Sequence, residues 1–271
     1  MTHQSHSTVS FRVATDPSSG FGHMSRMLAL RQVFKEPVKW FVDPRTKKAV
    51  SDWVSKTDEI YEEIEVDGIA QLLSASTAQT DGLIICDSYN ISCKGLAVAN
   101  LPTVYFCDSD TWPVFENVTV INSQPGAMPH ENCLAGPCFM PIDTRGKQQA
   151  KVNFAAVPFP IRCLIGFGAV DSANMTALAL NTLLSDKKLR ESVQPICLLG
   201  AYFKHHDIVE KLLDSFIKSK IVRNCSSVLE LPYTCDIAIG APGVSHAERL
   251  YAGIPTVLVP QNDKHVALCM G

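Results

Sequence analysis

The same local pattern opens both halves of this 271-residue chain: a short apolar strand, a glycine-containing loop and then a helix. In the first half the predicted strand covers residues 11–15 and the loop covers residues 16–22. In the second half the strand covers residues 162–165 and the loop covers residues 166–168. Further short apolar runs alternate with segments of helical periodicity after each loop. This alternation predicts α/β domains built on parallel sheets.

The segment from Pro141 to Pro160 separates the two halves. It contains three prolines and is rich in Lys and Gln in its first half, which is typical of a connection between domains. We therefore predict an N-terminal Rossmann-like domain over residues 1–145 and a C-terminal one over residues 146–271. Such a pair facing a cleft is the GT-B arrangement. Because open α/β sheets bind ligands beyond the carboxyl ends of their strands, we expect the loops there to line that cleft.

Composition excludes several classes of protein. The 24 basic and 27 acidic residues give a net charge of −3, so nothing indicates nucleic-acid binding. No apolar run approaches the roughly 18–20 residues of a membrane-spanning helix, and the N-terminus lacks the pattern of a signal peptide. The ten cysteines form no Cys-x-x-Cys pair, which favours buried thiols over a zinc site or a disulfide framework. We expect a cytoplasmic protein without membrane insertion, and its oligomeric state stays open.

The first glycine loop, Gly20-Phe21-Gly22-His23-Met24-Ser25-Arg26, contains the strongest candidate for a reacting group. Its glycines permit close approach of the backbone to a ligand, and the helix that begins there offers free N–H groups. His23 at this helix end is a candidate general base, with a capping or loop histidine as the alternative. Arg26 is a candidate partner for a carboxylate or phosphate, with a solvated surface arginine as the alternative.

Two acidic clusters follow predicted strands of the first half. Asp87 and Tyr89 come after the apolar strand 82–86, where Asp87 is placed to orient His23 or to bind a sugar hydroxyl. An Asx-type cap on the next helix is the alternative for Asp87. Asp108, after the next strand, begins a weaker acidic pair for which a simple turn is the alternative. No further acidic cluster joins this pair, so we expect no metal site.

The second half contains two segments suited to an anionic ligand. Residues 166–171 form a glycine loop before a helix, which is a generic phosphate cradle. In the other segment the chain turns at Gly243 and a helix follows. The N–H groups at the start of this helix and the Ser245 hydroxyl suit a diphosphate. Glu248, one turn into the helix, suits the hydroxyls of a ribose. A capped core helix is the alternative. Asn262 follows the last strand and is expected beside this site.

In their order and spacing these motifs resemble the UDP-2,4-diacetamido-2,4,6-trideoxy-β-L-altropyranose hydrolase family of pseudaminic acid biosynthesis. That family is related to the GT-B glycosyltransferase that makes lipid II, and the resemblance runs over nearly the whole chain. The matching positions are Gly20, Gly22, His23, Arg26, Asp87, Tyr89, Asp108, the stretch 134–141, Gly168, Asp171, Ser245, Glu248, Gly253 and Asn262.

The resemblance implies hydrolysis of the bond between C1 of a UDP-linked sugar and the diphosphate, with no metal or other cofactor. His23 would be the base that activates water, and Asp87 and Tyr89 would position the sugar. The chain departs from the family at Ser109, where the family has a second aspartate, and at Ala169, where it has a glycine. The family also continues past the point where this chain stops, so relative to the family either the second domain is short or part of it is missing.

Two other functions remain open at this point. A glycosyltransferase on the same scaffold would use His23 to deprotonate an acceptor hydroxyl in place of water. A non-catalytic binding protein on the same fold would bind a nucleotide sugar without turnover.

Overall fold

The structure is a computed structural model that describes most of the chain. The described residues are 9–15, 21–44, 46, 60–64, 68–77, 82–98, 100–109, 112–144, 159–200, 202–223, 225 and 235–270. The chain forms two compact units, Met1–Pro141 and Ile142–Gly271. A helix that the sequence predicts over residues 45–53 lies outside the described residues, apart from Thr46.

The first unit is built on a parallel sheet with seven strands among the described residues, in the order β3-β2-β1-β4-β5-β6-β7. The strands are β1 Val9–Val13, β2 Lys39–Val42, β3 Ile60–Glu63, β4 Leu83–Asp87, β5 Thr103–Phe106, β6 Val118–Asn122 and β7 Cys133–Ala135. The helices are α1 Gly22–Arg31, α2 Ile69–Thr77 and α3 Cys93–Ala97, with a 3₁₀ turn at Pro137–Phe139.

The second unit repeats this plan with a five-stranded parallel sheet, counted over its described residues, in the order β10-β9-β8-β11-β12. The strands are β8 Ile161–Gly166, β9 Val193–Leu199, β10 Lys220–Arg223, β11 Ile237–Gly240 and β12 Thr256–Leu258. The helices are α4 Met175–Ser185, α5 Lys187–Ser192, α6 His206–Leu213, α7 Val244–Tyr251 and α8 Asp263–Met270. In both sheets the first strand of the unit lies in the interior, which is the Rossmann order.

Both faces of the first sheet are buried, and this explains its continuous apolar runs. Trp40 packs with Phe11 and with Met27 of α1, whereas its neighbour Phe41 packs on the other face with Leu72 of α2. Successive side chains of a strand point to opposite faces, so a strand covered on both sides needs apolar residues at every position. The apolar clusters therefore fill the space between the sheet and its helices. Polar side chains are left to the loops at the strand ends.

No helix in the described part of the chain combines the length and apolar character needed to cross a membrane. The ten cysteines are thiols outside any disulfide, and six of them are buried. Burial raises the pKa of Cys163 and Cys197 to about 12, so these thiols behave as small apolar side chains.

Candidate functional site

The first cluster of polar side chains lies at the switch point of the first sheet. There β1 and β4 run side by side, and Val13 at the end of β1 is in register with Asp87 at the end of β4. The chain leaves β1 in one direction and β4 in the other, which opens a crevice at their carboxyl ends. Helix α1 begins at Gly22 shortly after β1 and places His23 in its first turn, close to Asp87.

His23 and Asp87 form a buried dyad. His23 is 3% exposed and Asp87 is 1% exposed, and His23 Nδ1 lies 2.6 Å from Asp87 Oδ1. Because an ionised carboxylate only accepts hydrogen bonds, the 2.6 Å contact with Asp87 assigns the proton to His23 Nδ1 and leaves the lone pair on Nε2. Arg26 Nη2 also lies 3.2 Å from Nδ1, but it donates to Asp87 Oδ1 at 2.8 Å. Among the residues that the structure describes, no hydrogen bond occupies His23 Nε2. The imidazole is thus oriented as a base.

Arg26 anchors the carboxylate of this dyad from the next turn of α1. Its Nε donates to Asp87 Oδ2 at 3.0 Å and its Nη2 donates to Asp87 Oδ1 at 2.8 Å, a bidentate pair. Its Nη1 donates to Asp108 Oδ1 at 3.1 Å, and the guanidinium lies 5.4 Å from the centre of the Phe106 ring. Burial alone would lower the pKa of Arg26, but the charges of Asp87 and Asp108 outweigh it and raise that pKa. Arg26 is 4% exposed, so the surface alternative for this residue is wrong.

Tyr89 and Asp108 complete the cluster on its exposed side. The Tyr89 hydroxyl donates to Asp108 Oδ2 at 2.6 Å, and the Tyr89 ring meets the His23 imidazole edge-on with 4.6 Å between centroids. Burial would raise the pKa of Asp108, but the Arg26 charge and the Tyr89 hydrogen bond lower it to about 2. The pKa of Tyr89 is raised, first by burial and then by the charge of Asp108. Both groups therefore keep their ordinary charge near neutral pH.

The charges of the cluster suit a base that accepts a proton. Two carboxylates, Asp87 and Asp108, surround one guanidinium, Arg26, so the group carries a formal charge of −1 with a neutral His23. A proton accepted at Nε2 brings that formal charge to zero. The structure thus brings together five of the residues singled out in the sequence, whereas Gly20 lies outside the described residues.

The second cluster lies at the equivalent switch point of the second sheet. Gly166 ends β8 and Gly240 ends β11, and the two are in register. A Cβ added to Gly240 would come within 2.5 Å of the Gly166 carbonyl oxygen, so the close approach of the two strand ends requires a glycine there. This approach fixes the loop that leads from β11 into α7.

The N-terminus of α7 has the form of an anion site. Gly243 precedes the helix with φ of 110°, and no side chain caps this end. The N–H groups of Gly243, Val244 and Ser245 find no acceptor within the described ranges, and a Cβ built on Gly243 would meet nothing within 4 Å. Free N–H groups and the positive end of the helix dipole favour a phosphate or another anion.

Two charged residues of α7 are buried behind this helix end. Glu248 is 7% exposed and Arg249 is 2% exposed. Burial raises the pKa of Glu248 to about 7; the Arg249 charge opposes this and Asp143 adds to it. Burial lowers the pKa of Arg249 to about 10, with Glu248 opposing. Glu248 was singled out from the sequence, but nothing in the sequence distinguishes Arg249 from an exposed arginine of the same helix.

The other predicted residues of the second unit lie in loops at the same edge of the sheet. Gly168 has φ of 84° and is exposed. Asp171 accepts hydrogen bonds from the backbone N–H groups of Met175 at 2.8 Å and Thr176 at 3.0 Å, so its carboxylate caps α4. Asn262 Oδ1 likewise accepts from the backbone N–H of His265 at 2.9 Å. In these contacts Asp171 and Asn262 stabilise helix ends.

Comparisons with known proteins place the fold among glycosyltransferases. The Acinetobacter baumannii MurG structure matches with a TM-score of 0.63 at 12% identity, over 97% of this chain and 83% of that one. The spinosyn rhamnosyltransferase SpnG in complex with thymidine diphosphate matches with a TM-score of 0.59 at 13% identity, over 95% and 81%. Phytolacca americana UGT2, complexed with UDP-2-fluoro-glucose and pterostilbene, matches with a TM-score of 0.59 at 11% identity, over 98% and 83%. Such identities establish the fold alone, and they confirm the predicted class of two Rossmann-like domains of GT-B type.

The sequence comparisons are less informative. No protein-family model matches the chain. An uncharacterized protein of Methanocaldococcus jannaschii is 36% identical over 104 residues, which is 37% of this chain and 21% of that protein. The chain thus matches about a fifth of the length of this curated relative. These comparisons do not support the specific hydrolase family that the motifs resemble.

Proposed function

We propose that this protein is a nucleotide-sugar-dependent enzyme of the glycosyltransferase type, in which His23 takes the proton from the hydroxyl that attacks C1 of the sugar. The observation that carries the proposal is the buried His23–Asp87–Arg26 arrangement, in which His23 Nε2 accepts or donates no hydrogen bond among the described residues. A histidine oriented by a carboxylate is the usual general base near neutral pH. The glycosyltransferases that share the fold include proteins in complex with nucleoside diphosphates or their sugars.

In the proposed reaction His23 Nε2 accepts the proton as the hydroxyl oxygen bonds to C1. The bond between C1 and the diphosphate oxygen breaks, and its electron pair leaves with the nucleoside diphosphate. Asp87 stabilises the imidazolium that forms, and Arg26 holds the Asp87 carboxylate in place through two hydrogen bonds. Because the diphosphate is already a good leaving group, positioning and charge stabilisation supply most of the rate.

The second unit is proposed to bind the nucleoside diphosphate. The free N–H groups of Gly243, Val244 and Ser245 suit the diphosphate, and the buried Glu248 carboxyl suits the ribose hydroxyls. For Gly168, Asp171 and Asn262 we keep a more limited proposal, that they shape the loops around the ligand.

A second candidate is hydrolysis of a UDP-linked diacetamido-trideoxy sugar, with water as the attacking group. The order of the motifs favours it, because the loop that ends at Arg26, the Asp87–Tyr89 pair and the Ser245–Glu248 segment occur in one sequence at the family's spacing. The same base serves both reactions, so the two candidates differ only in the group that His23 deprotonates.

The deciding experiment is proton NMR of the purified protein with UDP-2,4-diacetamido-2,4,6-trideoxy-β-L-altropyranose, and separately with UDP-N-acetylglucosamine. Each donor is tested alone and then with octyl glucoside as an acceptor. UDP release that requires the acceptor supports a transferase, and release without it supports the hydrolase. His23→Ala should lower the rate by about 10²- to 10⁴-fold while UDP binding is unchanged. An unchanged rate in this variant would refute the role of His23, and absence of UDP binding by the unaltered protein would refute the nucleotide site.

A further inference from the structure

Arg249 differs from the other deeply buried arginines in the described part of the chain. Arg12 is fully buried and pairs with Asp43 at 2.5 Å, and Arg26 pairs with two carboxylates. Arg249 is 2% exposed, yet within the described ranges no carboxylate lies within ion-pair distance of its guanidinium. A buried charge is costly unless an opposite charge or several hydrogen bonds compensate for it. The described residues supply no such ion pair for Arg249.

Among the described residues, the hydrogen bonds of Arg249 satisfy its guanidinium only in part. A guanidinium has five N–H donors. Its Nη2 donates to the Ala241 carbonyl oxygen at 2.7 Å, whereas its buried Nε has no partner in the described structure. The adjacent Glu248 is also buried, and since burial raises the pKa of its carboxyl to about 7, it offsets the arginine charge only in part.

The Arg249 guanidinium packs against the backbone of the turn that leads into α7. A Cβ on Gly240 would come within 3.0 Å of Arg249 Nη1, so the arginine fills the space that this glycine leaves. Ala241, the residue that its Nη2 binds, begins the turn whose last residue is the uncapped Gly243. The Arg249 guanidinium therefore contacts the start of the same turn whose end carries the N–H groups that face no acceptor among the described residues.

We infer that Arg249 is a positioning residue for an anionic ligand of at least two phosphate groups at the N-terminus of α7, acting by its charge and by its hold on the Ala241 carbonyl. The inference rests on the proposed nucleotide site and extends it to a residue outside the predicted set. Because Arg249 is only 2% exposed, its guanidinium acts on the ligand without touching it. Its field acts through the protein interior, where charges are screened far less than in water.

The charge dependence of binding tests this role. Isothermal titration calorimetry with UDP, UMP and uridine measures how strongly each phosphate group contributes to affinity. In Arg249→Gln, which keeps a hydrogen-bond donor but removes the charge, the preference for UDP over uridine should fall by about tenfold or more. Uridine affinity itself should change by less than about threefold, because uridine carries no charge. A residue with a merely structural role would weaken all three ligands alike.

Two further variants sharpen the result. Arg249→Lys keeps the charge and should retain the preference for UDP within about threefold. Arg190→Met removes an exposed charge on α5, at the opposite end of the sheet, and should retain it fully. If Arg249→Gln does not fold, Arg249→Lys becomes the test, and loss of the UDP preference there overturns the inference. A wild-type preference in a folded Arg249→Gln overturns the inference alone, whereas equal binding of UDP and uridine by the unaltered protein overturns the nucleotide site as well.

Discussion

Asp108 offers a quantitative test of the charge cluster around His23. Its carboxylate accepts hydrogen bonds from Arg26 Nη1 at 3.1 Å and from the Tyr89 hydroxyl at 2.6 Å, and its side chain is 18% exposed. Asp108→Asn keeps the shape and removes the charge. The variant should therefore destabilise the first unit by the amount that the charge contributes.

The magnitude follows from the pKa of Asp108. In the folded protein that pKa is lowered from its usual 3.8 to about 2, so the folded state binds the proton less tightly than the unfolded state. A group of this kind adds stability above its unfolded pKa, and the contribution is lost as pH falls through the folded pKa. The difference corresponds to about 2 kcal/mol at pH 7, and it should shrink to about 1 kcal/mol near pH 3.

Urea unfolding followed by tryptophan fluorescence measures this difference, because all three tryptophans, Trp40, Trp53 and Trp112, belong to the first unit. Asp214→Asn, which removes an exposed carboxylate of the second unit, is the matched control and should leave the first unit unchanged. Equal stability of wild type and Asp108→Asn at pH 7, or a difference that stays constant from pH 7 to pH 3, would refute the reasoning.

Three further predictions concern other positions. Asp87→Asn should lower the turnover rate by about 10²-fold or more without changing UDP affinity, because it removes the charge that stabilises protonated His23; full turnover would contradict this. Gly200→Ala should lower stability by about 1–3 kcal/mol in thermal unfolding, because its Cβ would lie 2.2 Å from Ala169 Cα; an unchanged midpoint would count against it. Glu248, whose pKa is raised from 4.5 to about 7, adds stability below its unfolded pKa and loses that contribution as pH rises through about 7. Relative to Glu248→Gln, the wild type should therefore lose up to about 3 kcal/mol between pH 4.5 and 8 by amide hydrogen exchange, and parallel pH curves would disprove this.

Long elements with a clear pattern were predictable from the sequence, and short elements were not. The Ala- and Leu-rich segment 174–184 predicts a helix from the sequence alone, and it matches α4, Met175–Ser185, because the apolar periodicity extends over three turns. The sequence pattern does not indicate strand β7, Cys133–Ala135, or helix α5, Lys187–Ser192. Three residues are too few for a periodic pattern, and the mostly polar α5 contributes no residue to the core. Such short elements form because packing and hydrogen bonds with neighbouring elements stabilise them.

The candidate site likewise has features that the sequence predicts and features that only the tertiary structure shows. The sequence by itself determined that His23 follows the first strand, that Asp87 ends another strand, and that Gly243 opens a helix, because strand ends and glycine turns are local properties. Only the tertiary structure decided that Arg26 reaches Asp87 and Asp108, which lie 61 and 82 residues away along the chain. These pairs depend on the strand order, which places β1, β4 and β5 side by side.

The same distinction explains the burial of Arg249. On a helix of eight residues its position is compatible with either the solvent face or the core, and the local pattern does not separate the two. The close approach of β8 and β11 leaves room beside Gly240, and the guanidinium occupies that room. A charge is buried here because backbone packing between distant segments creates the space, and no local propensity encodes such packing.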